Sequence, residues 1–176
     1  METVVSVDSK SEDLLQSSTP VTAEAFRSAM GHFLTGVTIV TTRCNAGIPY
    51  GLTVSSFNSV SLDPPLILWS LDLGNDRATL FRESAGFTVN VLPAGCQELI
   101  RTFAAPDAER FADTAWHWGA FGQPVLKDAI ASFECRLWAE YPGGDHAIFV
   151  GEVMDIATRD GEAAAYFKGR LGTYPS

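Results

Sequence analysis

Residues 51–69 read Gly-Leu-Thr-Val-Ser-Ser-Phe-Asn-Ser-Val-Ser-Leu-Asp-Pro-Pro-Leu-Ile-Leu-Trp and join a hydroxyl-dense extended segment to an apolar one. The hydroxyls belong to Thr53, Ser55, Ser56, Ser59 and Ser61. Each can donate and accept a hydrogen bond without adding charge, which suits a phosphate group and a polar ring edge. Read as one continuous strand, the alternate residues of this segment would share a face. The pattern therefore predicts either a pocket wall or the solvated face of an ordinary antiparallel strand.

Working outward from this stretch, short extended segments separated by turns dominate the chain. Strands are predicted for residues 37–43, from Tyr50 onward, and for 66–71, 87–92, 131–140 and 147–156. Helices are predicted after an N-cap at Thr22 and for residues 76–82 and 94–103. Because strands outnumber helices and follow one another through short turns, the sequence predicts a mostly β fold with peripheral helices. An antiparallel barrel is favoured over a doubly wound parallel sheet.

Length and composition indicate one globular domain. The chain has 176 residues, of which 46% are hydrophobic and 11% aromatic, enough to build a buried core. Residues 1–20 are rich in Ser, Asp and Glu and end at Pro20, which predicts a mobile N-terminal segment. The folded domain is expected to span residues 21–176.

The charge of the chain excludes one class of partner. Its formal net charge is -9 with only twelve Lys and Arg residues, so no basic surface is available for nucleic acid. Any site for an anion must then be built locally, from backbone N–H groups, hydroxyls or single arginines.

The cysteines and the N-terminus indicate where the protein acts. Three widely spaced cysteines predict reduced thiols with structural roles, in a cytoplasmic protein without a membrane span. The three histidines lie far apart in sequence, and none has Cys or carboxylate neighbours at metal-ligand spacing, so no metal site is predicted.

An ordered series of motifs carries a family resemblance over residues 22–170. The series comprises Phe26-Arg27-x-Ala29-Met30-Gly31, the serine-rich segment, Pro64-Pro65, Val89-Asn90-Val91-Leu92, Gly122-Gln123-Pro124-Val125-Leu126 running into Ser132-Phe133-Glu134-Cys135, and Gly144-Asp145-His146. The chain resembles the short flavin reductases, and more closely the reductase components of two-component flavin-dependent monooxygenases. That family is built on the flavin-binding split barrel, which agrees with the predicted antiparallel barrel.

The resemblance implies a set of site residues. Flavin would be held by Pro49, Tyr50, Gly51, Leu52, Thr53, Ser55, Ser56, Ser70, Leu71, Asp72, Arg77, Asn90, Thr102 and Phe103. Nicotinamide would be held by Gly143, Gly144, Asp145, His146, Lys168 and Arg170, with His146 as the leading contact and Asp145 as the residue that orients it. One departure is that Asp76 and Arg77 stand where family members commonly carry a hydroxyl residue, and a phosphate would be repelled by Asp76 unless its carboxylate faces away.

The implied activity is hydride transfer from NADH, preferred over NADPH, to FMN or FAD by a homodimer that supplies reduced flavin to a partner monooxygenase. This transfer needs stacking and distance, with no general base, so no catalytic residue is predicted. The absence of a Gly-x-Gly-x-x-Gly turn is consistent with a site of this kind. The alternatives are a related reductase acting on a corrinoid or on ferric iron through flavin, and a flavin-binding module without turnover.

Overall fold

The computed structural model describes residues 20–74, 78–106 and 109–175. Residues 1–19 of the predicted mobile segment lie outside the described residues. The predicted helix 76–82 is described from Ala78 onward.

Twelve strands and three helices make up the described chain. The helices are α1 (Ala23–Met30), α2 (Ala78–Glu83) and α3 (Gln97–Ala104). The strands are β1 (Thr35–Gly36), β2 (Thr38–Arg43), β3 (Pro49–Val54), β4 (Asn58–Leu62), β5 (Pro65–Asp72), β6 (Gly86–Val91), β7 (Trp116–Trp118), β8 (Pro124–Leu126), β9 (Ala131–Gly143), β10 (His146–Thr158), β11 (Ala163–Phe167) and β12 (Arg170–Tyr174).

The strands form antiparallel sheets, which confirms the predicted mostly β fold with peripheral helices. The main sheet has seven strands in the order β3-β2-β6-β9-β10-β5-β4. A three-stranded sheet, β1-β11-β12, and a pair, β7-β8, complete the described strands. Within the described residues the two edge strands β3 and β4 do not pair with each other, so the main sheet is not closed into a barrel.

The hydroxyl-dense segment is not one strand, so the prediction of a continuous extended face was wrong. β3 ends at Val54 and β4 begins at Asn58, and the two strands lie at opposite edges of the main sheet. The reason is a bend anchored to β5: the Ser56 hydroxyl donates to the Ser70 carbonyl over 3.1 Å and accepts from the Ser70 N–H over 2.9 Å. Thr53 and Ser61 therefore belong to different edges.

An aromatic cluster forms the centre of the larger core. Trp69 on β5 is fully buried and stacks on Phe149 of β10 with ring centroids 4.9 Å apart. Phe81 and Phe87 pack against the same indole in T-shaped geometry, with ring centroids 4.9 and 5.7 Å from that of Trp69. Since β5 alternates buried and half-buried positions, Trp69 points into this core while Ser70 faces the other side of the sheet.

The helices agree with the sequence prediction except for one boundary. The Ala25 N–H donates to the Thr22 hydroxyl over 3.1 Å, which confirms the predicted N-cap of α1. The third helix was predicted from Ala94, but α3 begins at Gln97 because Gly95 has a φ of +83° that no right-handed helix accommodates.

Candidate functional site

A cavity of about 630 Å³ opens beside the serine bend. Its walls come from β3, the bend, β5, the end of α3 with the segment that follows it, and the start of β10. The lining residues are Tyr50, Leu52, Thr53, Val54, Ser55, Ser56, Ser70, Leu71, Asp72, Gly74, Phe103, Ala104, Pro106, Arg110 and His146. We call this space the serine cavity.

Most residues that the sequence predicted for flavin meet in the serine cavity. Tyr50, Leu52, Thr53, Ser55, Ser56, Ser70, Leu71, Asp72 and Phe103 all line it. His146, predicted for nicotinamide, lines the same cavity. The tertiary structure thus brings together residues 50–56, 70–72, 103 and 146, which lie far apart in the sequence.

The serine wall is held rigidly by its own hydrogen bonds. The reciprocal pair between Ser56 and Ser70 joins the bend to β5, and the Thr53 hydroxyl donates over 2.9 Å to the Ile100 carbonyl of α3. Ser55 at the bend is exposed. Because each hydroxyl oxygen keeps acceptor capacity, and the Ser55 hydroxyl can also donate, the wall offers neutral polar groups in a fixed arrangement.

The end of β5 and the start of β10 bring an acidic turn and the histidine to the cavity. His146 on β10 is paired in register with Asp72 on β5, and the Gly74 N–H donates to the Asp72 carboxylate over 2.8 Å. The Nδ1–H of His146 donates to the Asp145 carboxylate over 2.7 Å, and this hydrogen bond lowers the pKa of Asp145. This hydrogen bond joins the two side chains at the start of β10.

Four residues predicted for flavin do not line the serine cavity. They are Pro49, Gly51, Asn90 and Thr102. Gly51 has a packing role, since a Cβ there would lie 2.9 Å from the Phe103 ring. Asn90 is fully buried, where its amide donates to the Ile39 carbonyl over 3.0 Å and accepts from the Leu126 N–H over 2.9 Å. Thr102 donates to the Glu98 carbonyl within α3.

The residues predicted for nicotinamide are divided among several places. Lys168 lines a second cavity of about 1040 Å³, together with His32 and residues of α1. Arg170 lies against a third cavity, which Lys168 also lines. Ser55 and Ser56 line both the serine cavity and the second one, so the two spaces meet at the bend. Gly143, Gly144 and Asp145 form the hairpin tip without lining the serine cavity, and Arg77 lies outside the described residues.

Sequence reasoning missed five lining residues. They are Val54, Gly74, Ala104, Pro106 and Arg110. Four of them contribute backbone or small apolar surface. The fifth, Arg110, is only 7% exposed although it carries a full charge. A single arginine between Glu109 and Phe111 has no local pattern that would distinguish it from a surface residue.

Beyond the serine cavity, the features that bear on function are the thiols, possible metal ligands and the length of the helices. All three cysteines are free, and burial raises the pKa of the Cys135 thiol to about 12, so this thiol stays protonated and unreactive near neutral pH. Across residues 20–74, 78–106 and 109–175, no three His, Cys, Asp or Glu side chains gather into a possible metal site. In the same ranges, no helix has the length and apolar character needed to cross a bilayer.

Comparisons with known proteins identify the family of the chain. Residues 30–175 match the family model described as flavin reductase like domain. The chain is 41% identical over 152 residues to FMN reductase (NADH) SmoA of Agrobacterium fabrum, covering 86% of each protein. It is 37% identical over 167 residues to the reductase component of the 4-nitrophenol 4-monooxygenase/4-nitrocatechol 2-monooxygenase of Rhodococcus opacus, covering 95% of this chain and 88% of that protein.

A solved structure gives the same result at the level of the fold. The NADH:FAD oxidoreductase of Streptomyces globisporus, in complex with NAD and FAD fragments, superposes with a TM-score of 0.81 at 34% identity. The match covers 88% of this chain and 96% of that one.

Proposed function

The chain belongs to the flavin reductase like domain family, and on this premise we propose that it is an NADH-dependent flavin reductase that delivers reduced FMN or FAD to a partner monooxygenase. The observation that carries the proposal is the serine cavity. It brings nine of the residues predicted for flavin together with His146 in one space. We also propose that residues 21–176 act as one flavin reductase domain.

The lining of the serine cavity fits a flavin. Its volume of about 630 Å³ lies in the range of small-molecule sites. Leu52, Val54 and Phe103 supply apolar surface for a ring system, while the hydroxyls and backbone groups of the bend supply partners for a polar ring edge. Nothing in the described lining indicates a covalent bond between the protein and flavin. We therefore propose that flavin binds and dissociates reversibly.

The nicotinamide is proposed to stack against the flavin beside His146. The second cavity meets the serine cavity at Ser55 and Ser56 and holds Lys168, so the rest of the dinucleotide could extend there. Flavin supplies the hydride acceptor for this reaction. The protein's part is to position the two rings and exclude water, since hydride transfer requires no base.

The central test is the dependence of NADH oxidation on free flavin. Protein stripped of flavin is expected to oxidise NADH only after FMN or FAD is added, because the cavity binds flavin by reversible contacts. The measurement is loss of NADH absorbance with no flavin, with FMN and with FAD. Rapid oxidation by the stripped protein without any added flavin would contradict the proposal.

We further propose that two copies associate through the face that includes α1. No residue of α1 is buried, and Phe26, Met30 and Phe33 are each more than half exposed. An isolated eight-residue helix is marginal in water, so its apolar side needs a cover. A second copy related by twofold symmetry would cover both α1 helices at once.

Sedimentation tests this association. The wild type is expected to sediment as a single species of about twice 19.0 kDa. Phe26→Asp should shift the protein toward monomer, because it places a charge in the covered face, whereas Glu24→Gln on the same helix should leave the dimer intact. A wild-type monomer at every concentration would refute the proposal.

The free thiols favour the cytoplasm as the place of action. Cys44 and Cys96 are half-buried and unpaired, which is the usual state of cysteines in a reducing compartment.

A further inference from the structure

Arg110 is a buried charged residue in the wall of the serine cavity. It follows α3, lines the serine cavity and is 7% exposed. Among the described residues that line this cavity, it is the only lysine or arginine. A cation in this place is notable because the chain as a whole carries a formal charge of -9.

Neighbouring groups hold the Arg110 side chain in place. Its Nη2 donates to the Ala105 carbonyl and, over 3.4 Å, to the Pro106 carbonyl. The guanidinium carbon lies 5.2 Å from the centroid of the Tyr50 ring, which gives a cation–π contact on the wall of the cavity. The guanidinium is therefore positioned before any ligand arrives, and little conformational entropy would be lost when it binds one.

The described residues around Arg110 provide no counter-ion for its charge. Within the described part of the chain no carboxylate lies within ion-pair distance of it, and its buried Nε has no hydrogen-bond partner. Burying a charge without a counter-ion has a large desolvation cost in free energy. An anion or a polar ligand that binds to the charge offsets this cost. Asp72, the carboxylate that lines the same cavity, instead accepts from the Gly74 N–H.

We propose that Arg110 binds the phosphate group of the flavin, an inference that rests on the proposed function. The guanidinium fork matches a phosphate, which can accept two parallel hydrogen bonds from it. The phosphate attached to the ribityl chain is common to FMN and FAD and absent from riboflavin, which has the same ring system. Arg110 therefore discriminates phosphorylated flavins from riboflavin, while the serine bend contacts the part that all three share.

The test compares FMN and riboflavin on the same variant. Arg110→Gln is expected to weaken FMN binding by about ten- to a hundredfold, the range for losing a hydrogen bond between charged groups. Riboflavin binding should change less than about threefold, because riboflavin offers no anion to the missing charge. Dissociation constants are measured by quenching of flavin fluorescence, and a thermal melt of each variant reports whether the fold is retained.

Substitutions at two other arginines test whether the effect on FMN binding is specific to Arg110. Arg101→Gln removes the same charge from an exposed position of α3 and should leave both constants unchanged. Arg77→Gln tests the arginine that the sequence predicted for flavin.

Three outcomes would overturn the proposal: equal weakening of FMN and riboflavin by Arg110→Gln, no weakening of either, or an FMN-specific loss confined to Arg77→Gln. None of these outcomes depends on turnover. A wild type that binds FMN through Arg110 but fails to oxidise NADH would refute the proposed activity alone.

Discussion

Trp69→Ala is expected to lower the free energy of unfolding by about 3–5 kcal/mol, the range for removing a large buried aromatic side chain. Trp69 is fully buried and in contact with the rings of Phe81, Phe87 and Phe149, so alanine would leave a void at the centre of the larger core. Chemical denaturation followed by circular dichroism measures the change. Because Ser70 is the next residue of β5, flavin binding should weaken as well.

Two variants test whether the loss of stability in Trp69→Ala comes from the void left in the core. Trp138→Ala removes the same side chain from a position that is 50% exposed, and should cost less than about 1 kcal/mol. Trp69→Phe keeps an aromatic ring and deletes Nε1, which has no hydrogen-bond partner among the described residues. It should cost much less than Trp69→Ala. Equal losses for Trp69→Ala and Trp138→Ala would show that this core is not where the stability resides.

Ser56→Val is expected to have the second large effect, on flavin binding. The substitution deletes both hydrogen bonds to Ser70, leaves the Ser70 N–H without its partner and places methyl groups in the wall of the serine cavity. The lost Ser70 partner destabilises the bend by about 1–3 kcal/mol. The Ser56 hydroxyl is also removed from the wall proposed to contact flavin, and a loss of about 1–3 kcal/mol in that contact corresponds to a rise of roughly five- to a hundredfold in the flavin dissociation constant. Titration with FMN measures the constant directly.

The matched control is Ser59→Val, which makes the same change on exposed β4, outside the serine cavity. It should leave the FMN constant unaltered. His146→Ala completes the comparison, because it should raise the KM for NADH several-fold while the FMN constant stays nearly the same. If His146→Ala weakened FMN and left both NADH parameters unchanged, the hairpin tip would belong to the flavin site instead.

The predictions from local pattern agreed well with the structure. A β-branched run predicted β2, an apolar run predicted β5, and two extended segments flanking a turn predicted the β9–β10 hairpin. The cap at Thr22 predicted the start of α1. Nine of the residues assigned to flavin line one cavity with His146. The strand and cap predictions succeeded because strand pattern and capping depend on residues that are neighbours in the chain.

Predictions that depended on distant contacts were less accurate. The serine-rich segment was expected to be one strand, yet the pairing of Ser56 with Ser70 bends it and sends its halves to opposite edges of the sheet. Asn90 was assigned to flavin, but the β2 and β8 backbone takes up its hydrogen bonds. Neither partner of such a contact can be recognised from the residues beside it in the sequence.

The amino-acid sequence by itself determined the antiparallel β class, the hydroxyl-rich composition of residues 53–61 and the Gly-Asp-His hairpin, because each follows from local backbone preference and side-chain chemistry. Only the tertiary structure decided that His146 shares a cavity with the bend, that Lys168 and Arg170 lie elsewhere, and that Arg110 is buried. The physical reason is that burial and strand order arise from long-range pairing. An arginine becomes a candidate phosphate ligand only when the folded chain surrounds it and leaves its charge without a counter-ion.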